Sequence, residues 1–329
     1  MKEIDLTICK INKILEKTYN KKILSNLKNF AAFYKMDQSV WKKPILVSGV
    51  DGVGTKIRLA INYKKYDVIG KDCFAMCIND ILCHGAIPLF FLDYLSCNMI
   101  DASIASKIIE GAASSCKESN TCFIGGETAE MKGFYKENDY DISGFCVGMV
   151  EEDHLINGKK LIQEGDILIG LPSSGIHSNG FSLIRNFFYE KDFVQIFENK
   201  PLYETLLIPT RVYYIPVHYL LKKFSCIHGI AHITGGGISH NLSRIIPDKL
   251  SAIIYKKNVP IHSIFSLIQK KGHLSDKIMW ETFNMGIGMI FVVSYKYKNE
   301  VLETLRLSGE NPRFLGNIVK GETKVLLQT

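Results

Sequence analysis

Three acids and an amide crowd one short stretch of this chain. In Gly70-Lys71-Asp72-Cys73-Phe74-Ala75-Met76-Cys77-Ile78-Asn79-Asp80-Ile81-Leu82-Cys83-His84-Gly85 the pattern predicts a helix capped by Asp72 and ended by Gly85, with Pro88 just beyond. At about 100° per residue, Asp72, Asn79 and Asp80 fall within roughly a quarter-turn of one another. Phe74, Cys77, Ile78 and Ile81 fall on the other side and would face a core. The apolar run Leu89-Phe90-Phe91-Leu92 then reads as a buried strand that ends on a third acid, Asp93. Hard oxygen donors so grouped suit a hard cation and the phosphates it escorts; the alternative is a solvated polar face.

Glycine turns recur beside chemistry-bearing residues. The strand Pro44 to Ser48 runs into Gly49-Val50-Asp51-Gly52-Val53-Gly54-Thr55-Lys56, where glycines let backbone N–H groups approach an anion and Lys56 adds a charge. This is not a Walker A loop. A helix over 104–116 leads to the strand 121–124, which ends in Gly125-Gly126-Glu127, a fitting place for a metal- or phosphate-handling loop. In the second half, the strand 166–171 opens into Ser173-Ser174-Gly175-Ile176-His177-Ser178-Asn179-Gly180 before a helical pattern over 181–188. That turn suits a phosphate at a helix start, unless Ser178 or Asn179 simply caps the helix. Thr234-Gly235-Gly236-Gly237 follows the strand 230–233 and opens another helix. Four such turns without a Walker A or Rossmann fingerprint point to a nucleotide-using enzyme whose site is shared between the halves.

The elements that must position these residues alternate between strand and helix. An amphipathic helix begins the chain, with Ile4, Ile8, Ile11 and Leu15 at helical spacing, and 140–150 alternates as a strand. The polar stretch 151–160 is the expected boundary between domains 1–155 and 156–329. Strands over 288–293 and 314–319 flank a helix over 298–307, so the fold class is α/β (α+β) in two domains. The net charge of +7 is scattered over the 329 residues, with no basic, aromatic-studded stripe for nucleic acid. No run approaches the length of a membrane span, and no leader pattern opens the sequence, so a cytoplasmic protein is expected. The nine cysteines fit a reducing compartment, and Cys73, Cys77, Cys83 and His84 lack the paired spacing of a zinc site.

Longer strings carry a resemblance. V-S-G-V-D-G-V-G-T-K-I-R-L-A at 47–60, M-C-I-N-D-I-L-C-H-G-A-I-P-L-F-F-L-D-Y at 76–94, G-G-E-T-A-E-M at 125–131 and D-Y-D-I-S-G-F-C-V-G at 139–148 stand in the first half. S-S-G-I-H-S-N-G-F-S-L at 173–183, P-T-R-V-Y at 209–213, A-H-I-T-G-G-G at 231–237 and T-F-N-M-G-I-G-M at 282–289 stand in the second. Together, over residues 44–329, they resemble the phosphoribosylformylglycinamidine cyclo-ligases, or aminoimidazole ribonucleotide synthetases. The D-x-x-x-x-G-A-x-P string at 80–88 resembles a wider superfamily that includes selenophosphate synthetase and thiamine-monophosphate kinase. His232, where the selenophosphate enzymes carry an acid, separates the two.

The resemblance implies an N-terminal domain whose strands build a homodimer interface, and a C-terminal α/β sandwich. It implies ATP-dependent closure of formylglycinamidine ribonucleotide to aminoimidazole ribonucleotide. On that basis Asp51, Asp72, Asp80 and Glu127 are expected to gather Mg²⁺ around ATP, Lys56 to neutralise phosphate and Asn79 to orient the group. Gly52, Gly54, Gly125 and Gly126 would lie along the nucleotide. Ser174, Gly175, Asn179, Gly235, Gly236 and Gly237 would hold or cover the ribose phosphate. His177 is the expected proton carrier, while His84 and His232 are expected to be structural. One departure lies near the N-terminus, where Lys28-Asn29-Phe30-Ala31-Ala32-Phe33 replaces a glycine-rich loop. Rival readings are a sister kinase, a scaffold subunit that has lost the chemistry and, last, an RNA-binding module.

Overall fold

Four strands carry the first half: β1 (Pro44–Gly52), β2 (Ile87–Cys97), β3 (Cys122–Glu130) and β4 (Tyr140–Glu151). They pair in the order β1-β4-β2-β3, with only β2 and β3 parallel. In this computed structural model, which describes residues 3–24 and 29–329, that sheet belongs to a unit formed by 1–81 and 86–153. Residues 82–85 and 154–329 form the second unit. Lys28 of the divergent N-terminal stretch lies outside the described residues.

Helices α1 (Glu3–Leu15), α2 (Lys56–Asn62), α3 (Tyr66–Leu82) and α4 (Ala102–Glu118) belong to the first unit, apart from the last residue of α3. Helix α3 starts six residues before the cap expected at Asp72, so Asp72 is an interior residue, fully buried like Phe74 and Ile78. Residues 72–79 are buried on every side, so the polar face expected of Asp72, Asn79 and Asp80 is reduced to Asp80 at its end. Gly85, at φ 77°, still ends the helical path. Asp101 caps α4 by accepting from the N–H groups of Ser103 and Ile104. Under α3 the Phe91 ring meets Phe74 edge-on at 5.2 Å and Phe123 at 5.0 Å, tying α3, β2 and β3 together.

The other side of this sheet is apolar and open. Rows Leu46–Met149–Ile87, Ser48–Val147–Phe90 and Val50–Phe145–Leu92 cross β1, β4 and β2. Leu46 and Val50 are each 63% exposed and Phe145 42%. Such a patch on one chain marks an interaction surface.

The second unit is built on a six-stranded sheet. Its strands are β5 (Ile167–Pro172), β8 (Ile227–His232), β9 (Leu250–Tyr255), β10 (Ile287–Val293), β11 (Arg313–Lys320) and β12 (Val325–Gln328), after a small hairpin of β6 (Ile196–Phe197) and β7 (Lys200–Pro201). The order is β12-β9-β11-β5-β10-β8, with only β12 and β9 parallel. Because β10 is antiparallel to both β5 and β8, the chain leaves β5 at Pro172 and β8 at His232 on the edge where it enters β10 at Ile287. That edge therefore gathers three connections from distant parts of the sequence.

Replacing Phe91 with Ala should cost about 3–5 kcal/mol, because it empties the ring cluster that α3, β2 and β3 share. Denaturant midpoints of the two proteins check this. A loss below 1 kcal/mol would show that the cluster does not hold the unit together.

Candidate active site

Two glycine loops meet at that edge of the second sheet. The loop Ser173–Gly180 leaves β5 and the loop Thr234–Gly237 leaves β8. A Cβ on Gly235 would lie 3.1 Å from Asn179 Oδ1, so the loops touch. Both rest on the segment Trp280–Asn284. A Cβ on Gly180 would fall 2.2 Å from the Phe283 ring, and one on Gly237 only 2.0 Å from the Trp280 carbonyl oxygen. Any larger residue would lift its loop off the seat. Gly236 and Gly237, at φ 88° and 64°, also need the left-handed region to turn into the helix Gly237–Ser243.

Side chains that the motif reading passed over hold these loops. Asn241 Nδ2 donates to the carbonyl oxygens of Gly237 at 2.8 Å and Gly235 at 3.1 Å, while its Oδ1 accepts from Thr234 Oγ1 at 3.1 Å. The P-T-R-V-Y segment braces the other loop. Ser174 Oγ donates to the Pro209 carbonyl at 2.6 Å, and the Ser178 and Thr210 hydroxyls meet at 2.8 Å. Tyr213 Oη donates to the Pro172 carbonyl at 2.8 Å, and the Arg211 guanidinium donates to the same oxygen at 3.3 Å. Arg211 also bonds Glu310 at 2.6 Å and lies 5.0 Å over the Tyr213 ring. Their signal was present in the sequence as a string that carried a likeness but no stated role.

The helix expected over 181–188 is shorter, and the alternative of a Ser178 or Asn179 cap does not hold. The helix covers only Phe181–Ile184, begins at Gly180 and has no side-chain cap, so Ser178 and Asn179 do not cap it. One turn of helix also has little dipole to offer a phosphate. His177 is 1% exposed and sits at φ 64°. Its Nε2 accepts from the backbone N–H groups of Ser174 at 3.2 Å and Arg211 at 3.5 Å. Only an unprotonated nitrogen accepts, so this geometry holds a neutral imidazole with the proton on Nδ1. In this buried setting the His177 ring braces the loop. His84 Nδ1 lies 3.2 Å from the Ile156 carbonyl oxygen.

In the first unit the expected acids part company. Lys56 Nζ lies 2.7 Å from Asp72 Oδ2 with both side chains fully buried. Burial pushes the Lys56 ammonium down from its ordinary range, and Asp72 opposes that shift. Lys56 and Asp72 thus form a buried ion pair inside the first unit. Asn79 is fully buried as well. Gly125, Gly126 and Glu127 lie within β3 and do not form a loop at its end. Glu127 pairs with Tyr94, which in turn pairs with Ser143, in the row after Asp93, so strand alternation turns it to the sheet's other face from Asp51 and Asp93. Among the described residues, no three His, Cys, Asp or Glu side chains come together as a metal cage.

What the sheet does align is the row Asp51–Gly144–Asp93–Gly126 across all four strands. The Cys77 thiol donates to the Asp51 carbonyl at 3.7 Å, which places the end of β1 beside the part of α3 that carries Asp80. Asp51 and Asp80 are only partly buried, and they are the two expected acids that keep access to solvent on this side. Asp93, read from sequence as a strand end, is mid-strand and 7% exposed. A Cβ on Gly126 would fall 1.9 Å from Asp93 Oδ1, so the carboxyl fills the space that the missing side chain leaves. Asp93 Oδ2 is buried without a hydrogen-bond partner among the described residues. Burial first, and then Glu127, pushes this carboxyl up to about 8.

With two α/β units and paired glycine loops in view, the likeness to known proteins is specific. Residues 32–150 match the model of the AIR synthase related protein, N-terminal domain, and residues 163–327 that of its C-terminal domain. A phosphoribosylformylglycinamidine cyclo-ligase of Fusobacterium nucleatum subsp. nucleatum is 46% identical over 316 residues, which cover 95% of this chain and 92% of that protein. One of Clostridium tetani is 47% identical over 314 residues, covering 95% and 93%. Among solved structures, the hydrogenase maturation protein HypE in complex with ATP superposes with a TM-score of 0.69 at 14% identity, over 96% of this chain and 89% of that one. The chain belongs to the AIR synthase related proteins and, within them, to the phosphoribosylformylglycinamidine cyclo-ligase family.

Asp93 generates a test with a definite sign. Its carboxyl is raised in the folded state, so the stability it confers is full below the ordinary carboxylate range and is lost as pH rises to about 8. Asp93→Asn should remove that slope, which is at most about 1.4 kcal/mol per pH unit. Urea unfolding at pH 5 and pH 8 should therefore show the variant gaining on the wild type between the two. An unchanged difference would mean that Asp93 is not buried as a neutral acid.

Proposed function

We propose that this protein is an ATP-dependent cyclo-ligase that converts formylglycinamidine ribonucleotide to aminoimidazole ribonucleotide, ADP and phosphate in purine biosynthesis. The observation that carries this reading is the identity of 46–47% to cyclo-ligases over 95% of the chain. An amide oxygen is a poor leaving group, and its phosphorylation makes it a good one. The neighbouring amidine nitrogen then closes the ring and expels phosphate. Catalysis of this kind is mostly positioning and charge neutralisation.

The first unit would take ATP and the second the ribonucleotide. Mg²⁺ commonly uses one or two carboxylates and completes its shell with water and substrate phosphates. Asp51 and Asp80, hard oxygen donors at β1 and α3, fit that requirement without Asp72 or Glu127. When bound, the ion supplies neutralisation of the triphosphate charge. Gly52 at the end of β1 and Gly54 in the turn before α2 leave room for a phosphate to approach the backbone. In the second unit, Ser174, Gly175 and Asn179 with Gly235 and Gly236 would receive the ribose phosphate, and the seat beneath them would keep them in place. The same reading makes the protein a cytoplasmic homodimer. Its support is the apolar sheet face with Leu46, Val50 and Phe145, together with nine free thiols. No helix among the described residues is long and apolar enough to cross a membrane.

Purified protein with Mg²⁺, ATP and formylglycinamidine ribonucleotide should yield ADP and aminoimidazole ribonucleotide in equal amounts. Light scattering on the same sample should give about twice 37.1 kDa. Asp80→Asn should lower turnover at least a hundredfold with an unchanged unfolding midpoint. ADP without the imidazole product would point to a kinase with another acceptor and overturn the assignment.

A further inference from the structure

One amide makes several of the bonds that hold the loop Ser173–His177. Asn284 is 3% exposed, just before β10. Its Nδ2 donates to the carbonyl oxygens of Gly175 at 2.9 Å and Ile176 at 3.2 Å. Its Oδ1 accepts from the Gly286 N–H at 2.8 Å and lies 3.1 Å from Ser173 Oγ, whose shorter contact is with the Gly175 carbonyl at 2.8 Å. An asparagine amide has two donor hydrogens and two acceptor lone pairs, and here both hydrogens and one lone pair are bonded inside the protein. The orientation is not arbitrary, because two carbonyls demand the donor side and one N–H demands the acceptor side.

Asn284 is thus buried with both donor hydrogens committed to the loop. Gly175, at φ 153°, has no atom within 4 Å of where a Cβ would stand, so the tip of the loop borders open space. The flanks of the tip are tied down on both sides: Gly175 and Ile176 to Asn284, and Ser174 to Pro209 and His177. The Ser173 N–H donates to the Gly286 carbonyl at 2.9 Å, and the Ile233 N–H to that of Gly288 at 2.9 Å. Residues 284–288 thus tie the starts of both loops to one strand.

We propose that Asn284 is a positioning residue for the phosphorylated ribonucleotide, fixing the Ser173–His177 loop in its receiving shape without touching the substrate. The proposal rests on the reading of this loop as the ribonucleotide's seat. Asp at this position keeps the acceptor half of the network and loses the donor half, and Ala loses both.

The test compares wild type, Asn284→Asp and Asn284→Ala by amide exchange, ribonucleotide binding and steady-state kinetics. Exchange at 174–177 in the unliganded variants should quicken at least tenfold, while amides of β8 stay unchanged. The KM for the ribonucleotide should rise at least tenfold in Asn284→Asp and further in Asn284→Ala, with the KM for ATP within twofold of wild type. Both KM values moving together, or neither moving in Asn284→Asp while exchange quickens, would reduce Asn284 to a purely structural role and overturn the proposal. Calorimetric binding separates the two readings. A wild type that binds the ribonucleotide without cyclising it overturns the reaction only, and the positioning role is then read from the variants' affinities. A wild type that does not bind it overturns both.

Discussion

The contact on which the second unit's site depends is that of two glycine loops lying flat on Trp280–Asn284. Phe283 presents its ring to Gly180, and the carbonyls of Trp280 and Phe283 face Gly237. Loops that approach a backbone this closely lose water from their own polar groups, which must find partners in the protein. Asn241 and Asn284 supply those partners from either side. The segment 209–213 closes the network around His177. A binding surface made of backbone is rigid only when such a network over-determines it, and here no loop relies on a single bond.

The first unit solves a different problem, which is where to put charge. Lys56 and Asp72 are matched at 2.7 Å in full burial. A pair of this kind gives little net stability, but loss of one partner costs about 3–5 kcal/mol. Burial raises the Asp93 carboxyl to about 8. Asp51 and Asp80 keep partial access to solvent.

Much of the fold was legible in the sequence because its signals are local. The helix 298–307 and the strands 288–293 and 314–319 are found within a residue of where their patterns put them, as Lys298–Leu307, Ile287–Val293 and Arg313–Lys320. The strand Val325–Gln328 escaped notice, since four residues at an edge carry almost no periodicity. The site was legible as loops and illegible as partners. Glycine strings mark where backbone comes close to something, but nothing local says that Gly237 meets Trp280 or that Gly180 meets Phe283. The arrangement of the acids was illegible for a related reason. Helical spacing aligned Asp72 with Asn79 and Asp80, yet it could not show that Lys56 would reach Asp72 from α2. Nor could it show that strand pairing would turn Glu127 away from Asp51.

The central claim is that the loops after β5 and β8 form one cradle for the phosphorylated end of the substrate. A crystal structure with formylglycinamidine ribonucleotide tests it most directly. The account predicts the ribose phosphate between residues 174–179 and 235–236, with Asn284 and His177 keeping the hydrogen bonds they make here. A phosphate bound elsewhere, with both loops unchanged and empty, would contradict it.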